Sequence, residues 1–338
     1  MAKTPAAGEV QLNGSGSTFV QPLFEHWAYN YSLKIDPGLK INYGGGGSGQ
    51  GKKDIIAGTV DFAGSDSTLT DDEFGKKPMQ HIPAVAGAIV PAYNLPGVKT
   101  ITLDGDTLGK IYAGKIEKWN DAAIAALNRG VALPNLPIVV VHRSDGSGTT
   151  NVFTIYLTRA SKDWADNVKP SSGTTVDWPA DKVKRGLGGK GNQGVAATVQ
   201  KTRGAIGYIE LAYAVKNKIP YGKMINAAGK VIDASPESTT AAMQGISFSK
   251  RLTADIENSA QADAWPISGF AYFIIDKDIK DCVKAQKLLS WITWSLTSGT
   301  GKSRAKELLY ATLPPDIVPT IGEAIKGIKC NNGNPVFK

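Results

Sequence analysis

Three short bursts of glycine and hydroxyl residues, each set between an extended apolar run and a helical pattern, restrict this chain more than any other part of its sequence. They are Gly14-Ser15-Gly16-Ser17-Thr18-Phe19, Gly44-Gly45-Gly46-Gly47-Ser48-Gly49 and Arg143-Ser144-Asp145-Gly146-Ser147-Gly148-Thr149. The runs before them, Val10-Gln11-Leu12, Leu39-Lys40-Ile41-Asn42-Tyr43 and Ile138-Val139-Val140-Val141, read as strands. After the first burst, Phe19, Val20, Leu23, Phe24, Trp27 and Tyr31 recur at helical spacing; after the third, Val152, Phe153, Tyr156 and Leu157 do the same. These aromatics read as core. Strands alternating with helices specify an α/β architecture. A chain of 338 residues is comfortable as two domains, and 42% apolar residues suffice for their cores.

A strand-to-helix turn of this composition has a definite chemistry. Ser and Thr are favoured helix N-caps, and Gly lets the backbone approach a ligand closely. The first turn of a helix leaves four N–H groups without internal partners and carries about half a positive charge. It is therefore a natural oxyanion site. One such turn is commonly structural. Three with hydroxyls, one carrying Arg143, point to a shared anion, because open α/β sheets bind ligands beyond the carboxyl ends of their strands. A fourth segment, Val60-Asp61-Phe62-Ala63-Gly64-Ser65-Asp66, reads as a short strand ending in a turn. Asp66 has two readings there: a cap for a helix starting near Leu69, or a ligand contact. In an anion site a carboxylate makes sense only if the ligand carries a proton. Phosphate near neutral pH keeps at least one P–OH, whereas sulfate has none. An ionised Asp only accepts hydrogen bonds, so it pairs with the first and repels the second.

Other classes fit less well. The net charge of +8 favours anionic partners, but Lys and Arg occur as singles and pairs (Lys52-Lys53, Lys76-Lys77) without interleaved aromatics, and no nucleic-acid partner is expected. Gly44, Gly46 and Gly49 satisfy G-x-G-x-x-G with Asp66 downstream, the pattern of an NAD(P)-dependent oxidoreductase. That reading leaves the other two bursts unexplained. Ser48 and Ser147 lack a G-x-S-x-G elbow. Of His26, His81 and His142, only the last lies near the bursts, and strand alternation points it away from Arg143. No Walker A motif and no metal-ligand spacing occur, so neither cofactor nor metal is expected. No apolar run reaches the ~18 residues of a membrane span. The start, Met1-Ala2-Lys3-Thr4-Pro5, has no signal-peptide core, which fits a cytosolic protein or a signal already removed. Cys282 and Cys330 allow either one disulfide or two separate buried thiols.

With these bursts in place, the chain resembles the phosphate-binding component of the high-affinity phosphate ABC transporter, a type II periplasmic binding protein. The resemblance runs through Leu103-Asp104-Gly105, Leu108-Gly109-Lys110-Ile111-Tyr112, Gly186-Leu187-Gly188-Gly189-Lys190-Gly191-Asn192, Gly204-Ala205-Ile206-Gly207-Tyr208 and Ala264-Trp265-Pro266-Ile267. It departs at His142, where relatives often carry Arg, at Ser15 and Ser17, which stand in place of Ala, and at Gly49, where many have a second Ser. It implies phosphate contacts from Thr18, Phe19 (through its amide), Ser48, Asp66, Arg143, Ser147, Gly148 and Thr149, with Asp145 orienting Arg143. It also implies a periplasmic monomer with no catalysis, closing on inorganic phosphate and delivering it to a membrane permease; another oxyanion is the alternative ligand. Two extended runs, Ala84 to Tyr93 and Ile267 to Ile275, read as crossings between domains. The expected division is residues 1–90 plus 268–338 for domain I and 91–267 for domain II.

Overall fold

The computed structural model describes residues 9–337. Residues 1–5, read above for a signal segment, lie outside the described residues. Strand β1 (Val10–Gly16) pairs in parallel with β2 (Leu39–Gly44), Val10 opposite Leu39. Helix α1 (Gln21–Lys34) makes the crossover and buries Leu23, Phe24, Trp27 and Tyr31 of the expected stripe. After α2 (Ser48–Ala57), β3 (Phe62–Ser65) pairs in parallel with the other edge of β1. A short α3 (Asp71–Lys76) leads into β4 (Met79–Tyr93), whose 15 residues are all buried. The second half repeats the scheme with β5 (Val139–Arg143), α4 (Gly148–Ala160), β6 (Gly186–Gly189), α5 (Gly191–Lys201), β7 (Ala205–Glu210) and α6 (Leu211–Lys216). The chain then returns through β8 (Ser268–Asp276) to α7 (Cys282–Thr297). The sheet order is β2-β1-β3-β8-β4-β7-β5-β6.

Strand register explains why distant turns meet. β8 is antiparallel to both β3 and β4, so β4 runs in the same direction as β1, β2 and β3. Met79 to Ala88 pair with β8, Ala84 excepted, and the last five residues, Ile89 to Tyr93, pair antiparallel with β7. β7 is parallel to β5, and β5 to β6. The second half's strands therefore point back along β4 towards the first half. Ser65, the end of β3, lies level with Tyr272 and Pro83, while Glu210, the end of β7, lies level with Ile89. The carboxyl edges of the two parallel sets thus face each other across a few residues of β4. The register shift between Ala271 and Tyr272 bulges out Ala84, next to Pro83, which has no N–H to offer the ladder.

Each half has its own aromatic centre. Phe24 stacks on Phe273 with ring centroids 4.2 Å apart and Trp291 edge-on to both. On the other side Phe153 stacks on Tyr208 at 4.3 Å, beside Tyr112 and Trp178. The helix Pro236–Ala242 and the loop after it pack on Ala86, Phe270, Tyr272 and Ala311, the face of the β4–β8 pair. Arg159 of α4 ties that loop down through Asp255 and Glu257.

Cys282 and Cys330 form a disulfide that joins the start of α7 to the C-terminal segment, with Cα atoms 5.1 Å apart and a sequence separation of 48. Closing a loop of that length in the unfolded chain stabilises the fold by about 2–4 kcal/mol. Replacing both cysteines by Ser should lower the unfolding free energy by that amount, read from chemical denaturation. An unchanged midpoint would mean that the C-terminal segment contributes nothing to global stability.

Candidate functional site

Each burst bends the chain where only Gly fits. At the end of β1, Gly16 has φ +129, and a Cβ there would meet Gly64 O at 2.2 Å. The turn that follows puts Thr18 and Phe19, both buried, at the sheet edge ahead of α1. The Phe19 amide donates to Ser17 Oγ at 3.0 Å, and the Phe19 carbonyl accepts from Tyr310 OH at 2.6 Å. In the second burst Gly47, with φ +89, is the N-cap of α2. Ser48 is the first helical residue, and its hydroxyl donates to Asp66 Oδ1 at 3.0 Å. In the third, Ser147 caps α4 by accepting from Thr150 N–H at 3.0 Å. Gly148 and Thr149 open that helix.

The two halves touch at these turns. Gly49 N–H donates to Gly146 O at 2.9 Å across the cleft. A Cβ on Gly148 would fall 2.4 Å from Ser48 Oγ and 2.5 Å from Asp66 Cγ. Only a residue without a side chain allows the first turn of α4 to lie against the opposing half.

Arg143, at the end of β5, is nearly buried. Asp145 holds it through two bonds, Nε to Oδ1 at 2.8 Å and Nη2 to Oδ2 at 2.5 Å. Such a fork fixes the guanidinium plane as a single side-chain bond cannot. Its Nη1 lies 3.4 Å from Thr149 Oγ1. Burial disfavours the Asp145 carboxylate. Arg143 and the Gly191 amide outweigh that cost, and its pKa lies below the usual carboxylate range.

Asp66 is not a helix cap. Helix α3 starts at Asp71 and is capped by Thr70 in a reciprocal capping box with Glu73. The Asp66 carboxylate is buried instead among hydroxyls, accepting from Ser48 at Oδ1 and from Thr149 at Oδ2, the latter at 3.1 Å. Burial raises its pKa, opposed by Ser17, Ser48, Arg143 and Thr149. The structure therefore brings Thr18, Phe19, Ser48, Asp66, Arg143, Ser147, Gly148 and Thr149 to one buried seam, with Asp145 behind Arg143.

Four residues here were not singled out in the sequence. Asn192, in the first turn of α5, donates to Thr18 and Thr149. Tyr213 OH donates to Thr18 O at 2.5 Å, and Tyr310 OH reaches Glu210 Oε2 at 3.4 Å. Glu210 is fully buried, and burial lifts its pKa well above the usual range. Asn192 had a signal: Gly188-Gly189-Lys190-Gly191 is a fourth glycine-rich strand-to-helix turn, without the hydroxyls that mark the other three. The tyrosines had none, since each joins the site only through the tertiary fold.

The alternative chemistries do not assemble. The N-terminus of α2, where a dinucleotide pyrophosphate would sit, is closed off by Gly146 and Asp145 of the other half, and Asp66 is engaged by hydroxyls. His142 turns from the site as alternation requires, its Nε2 2.9 Å from Asp181 Oδ1 and its ring stacked on Trp178. His81 is buried and accepts from the Leu69 amide; burial, with Lys52 and Arg251, brings its pKa down to about 4. Among the described residues there is no group of three or more His, Cys, Asp or Glu that could hold a metal ion. Nor is any helix among them long and apolar enough to cross a membrane.

Comparison with known proteins places the chain in a family and a fold. Residues 2–298 match the family model for the PBP superfamily domain. The phosphate-binding protein PstS of Xylella fastidiosa is 40% identical over 326 residues, covering 94% of this chain and 86% of that protein. Its counterparts in Haemophilus influenzae and Methanocaldococcus jannaschii are 37% and 36% identical, each covering 94% of this chain and 93% and 86% of their own lengths. Among solved structures, a high-affinity periplasmic phosphate-binding protein with bound phosphate superposes with a TM-score of 0.75 at 21% identity, covering 93% of both chains. The phosphate-binding protein of Stenotrophomonas maltophilia does so with a TM-score of 0.66 at 18% identity, covering 92% of this chain and 93% of that one. These two share the fold of this chain, two facing α/β halves of the type II periplasmic binding protein class, and the longer sequence matches add the lineage: the chain belongs to the PstS family of phosphate-binding proteins, within the PBP superfamily.

Proposed function

We propose that this protein captures inorganic phosphate between its two halves and carries it, unchanged, to the membrane permease of an ABC transporter. The observation that carries this reading is Asp66: a buried carboxylate with no direct ion pair among the described residues, at one side of a ring of donors drawn from both halves. Thr18 and Ser48 from the first half, and Arg143, Ser147 and the first amides of α4 from the second, supply those donors. A ligand suited to this ring presents several acceptor oxygens and one proton for Asp66. Hydrogen phosphate does; sulfate does not. The Phe19 amide joins the donors once the anion draws it from Ser17 Oγ.

Domain I comprises residues 1–90 and 268–338, and domain II residues 91–267, with the loop around Pro236–Ala242 seated on the domain I side. Hinge motion about β4 and β8 opens the seam, and ligand closes it. Work ends at release, so no bond is made or broken and no cofactor takes part. The protein acts as a monomer in the periplasm, where a closed pair of halves is what the permease reads.

Calorimetric titration with phosphate and with sulfate, on protein refolded to remove bound ligand, tests this. Phosphate should bind one to one and sulfate should not compete. Equal binding of both would remove Asp66 from the argument, and binding of neither would refute the function.

A further inference from the structure

We infer that Asn192 is a positioning residue for the anion site: it sets the direction of the Thr18 hydroxyl proton and makes that setting depend on closure. The inference rests on the phosphate-binding reading above and adds a residue to it. Asn192 is fully buried at the start of α5. Its Oδ1 accepts from the Glu210 backbone N–H at 2.9 Å. A backbone N–H only donates, so the amide orientation is fixed and Nδ2 faces the other way. There Nδ2 donates to Thr18 Oγ1 at 3.0 Å and to Thr149 Oγ1 at 3.2 Å, and the Asn192 backbone N–H donates to the same Thr18 oxygen at 3.0 Å.

A hydroxyl oxygen has two acceptor sites and one proton. Both acceptor sites of Thr18 Oγ1 are taken by Asn192, so its remaining capacity is to donate. Thr149 Oγ1 accepts from Asn192 and Arg143 and gives its proton to Asp66 Oδ2. One buried amide thus divides the seam into a donor side at Thr18 and an acceptor side at Asp66. Thr18 belongs to the first half and Asn192 to the second, so this order exists only when the halves meet. Opening the seam frees the Thr18 lone pairs, and the hydroxyl loses its fixed direction.

The test is a double-mutant cycle between Asn192→Ala and Thr18→Val, read by phosphate affinity and by stopped-flow dissociation. Asn192→Ala should weaken phosphate binding about 10- to 100-fold, the cost of leaving buried polar groups unpaired. The loss should fall chiefly on the dissociation rate, because the interaction exists only in the closed form. Thr18→Val should cost a similar factor, and the double variant no more than the larger single loss. The melting temperature of the ligand-free protein serves as the control for a purely structural role. Unchanged affinity in Asn192→Ala, or fully additive losses, would overturn the inference. Should Asn192→Ala fail to fold, Asn192→Ser carries the same cycle with a smaller disturbance. If the unmodified protein binds no phosphate, the functional reading has failed instead, which separates the two outcomes.

Discussion

Arg143→Ala should reduce phosphate affinity by about 2–5 kcal/mol, roughly 30- to 5,000-fold. The guanidinium is nearly buried and held rigid by Asp145, so its charge acts in a place where water does not screen it. Truncation removes the one side-chain cation in the proposed ligand set and leaves the Asp145 carboxylate with the Gly191 amide but no cation. That second effect adds a buried negative charge facing an anion. Arg143→Lys keeps the charge but loses the planar fork that Asp145 grips through Nε and Nη2, and should fall between wild type and Ala. Calorimetry on ligand-free protein gives the numbers, with circular dichroism to confirm folding. An Arg143→Ala protein of unchanged affinity would place the anion elsewhere in the molecule. Because the contact is buried, raising salt from 0.05 to 0.5 M should change the Arg143 effect little.

Asp66→Asn should change selectivity more than it changes affinity. A site built to pair with a ligand hydroxyl rejects an analogue lacking it by about 10⁴- to 10⁵-fold. Ser48 and Thr149 donate to the two carboxylate oxygens and the Ser17 hydroxyl lies within reach, which leaves acceptor capacity for a ligand proton. An Asn there keeps the shape, removes the charge and turns one acceptor into a donor. Sulfate gains a donor, phosphate loses the acceptor for its proton, and the preference should shrink to about tenfold or less. The pH dependence has a matching sign. Burial raises the Asp66 pKa, so lowering pH protonates this carboxyl sooner than an exposed one. Once protonated it donates, and the wild-type preference for phosphate should narrow towards acid. The Asn variant should show no such narrowing. Competition titrations across pH separate these cases, and a variant that still excludes sulfate would show that the carboxylate is not the discriminator.

Much of this site is legible in the amino-acid sequence. Gly16, Gly47 and Gly148 sit at the close approaches that their composition suggests, and Ser147 is a helix cap. The aromatic stripes are core on both sides. His142 faces away from the seam because strand side chains alternate, which needs only the register of one strand. The two readings left open for Asp66 were separated by a neighbour: Thr70 and Glu73 cap the helix, so Asp66 has no capping to do. The cysteine pairing likewise awaited the fold, since 48 residues of separation say nothing about distance in space.

Local chemistry is written in the residue order: strand, glycine turn, helix, the hydroxyls at three turns and Arg143 at one of them. Those properties depend on residues within a few positions of one another, through backbone sterics and unsatisfied helix amides. Which turns meet, and in what order of donors and acceptors, follows from the folded chain alone. The long β4 strand carries the second set of strands beyond the first and in the opposite sense, so their carboxyl edges face. Asn192, Tyr213 and Tyr310 enter the site from three separate segments, and their roles arise from hydrogen bonds that span up to 291 residues of chain. Pairings of that range are fixed by sheet register and burial, which no local pattern records.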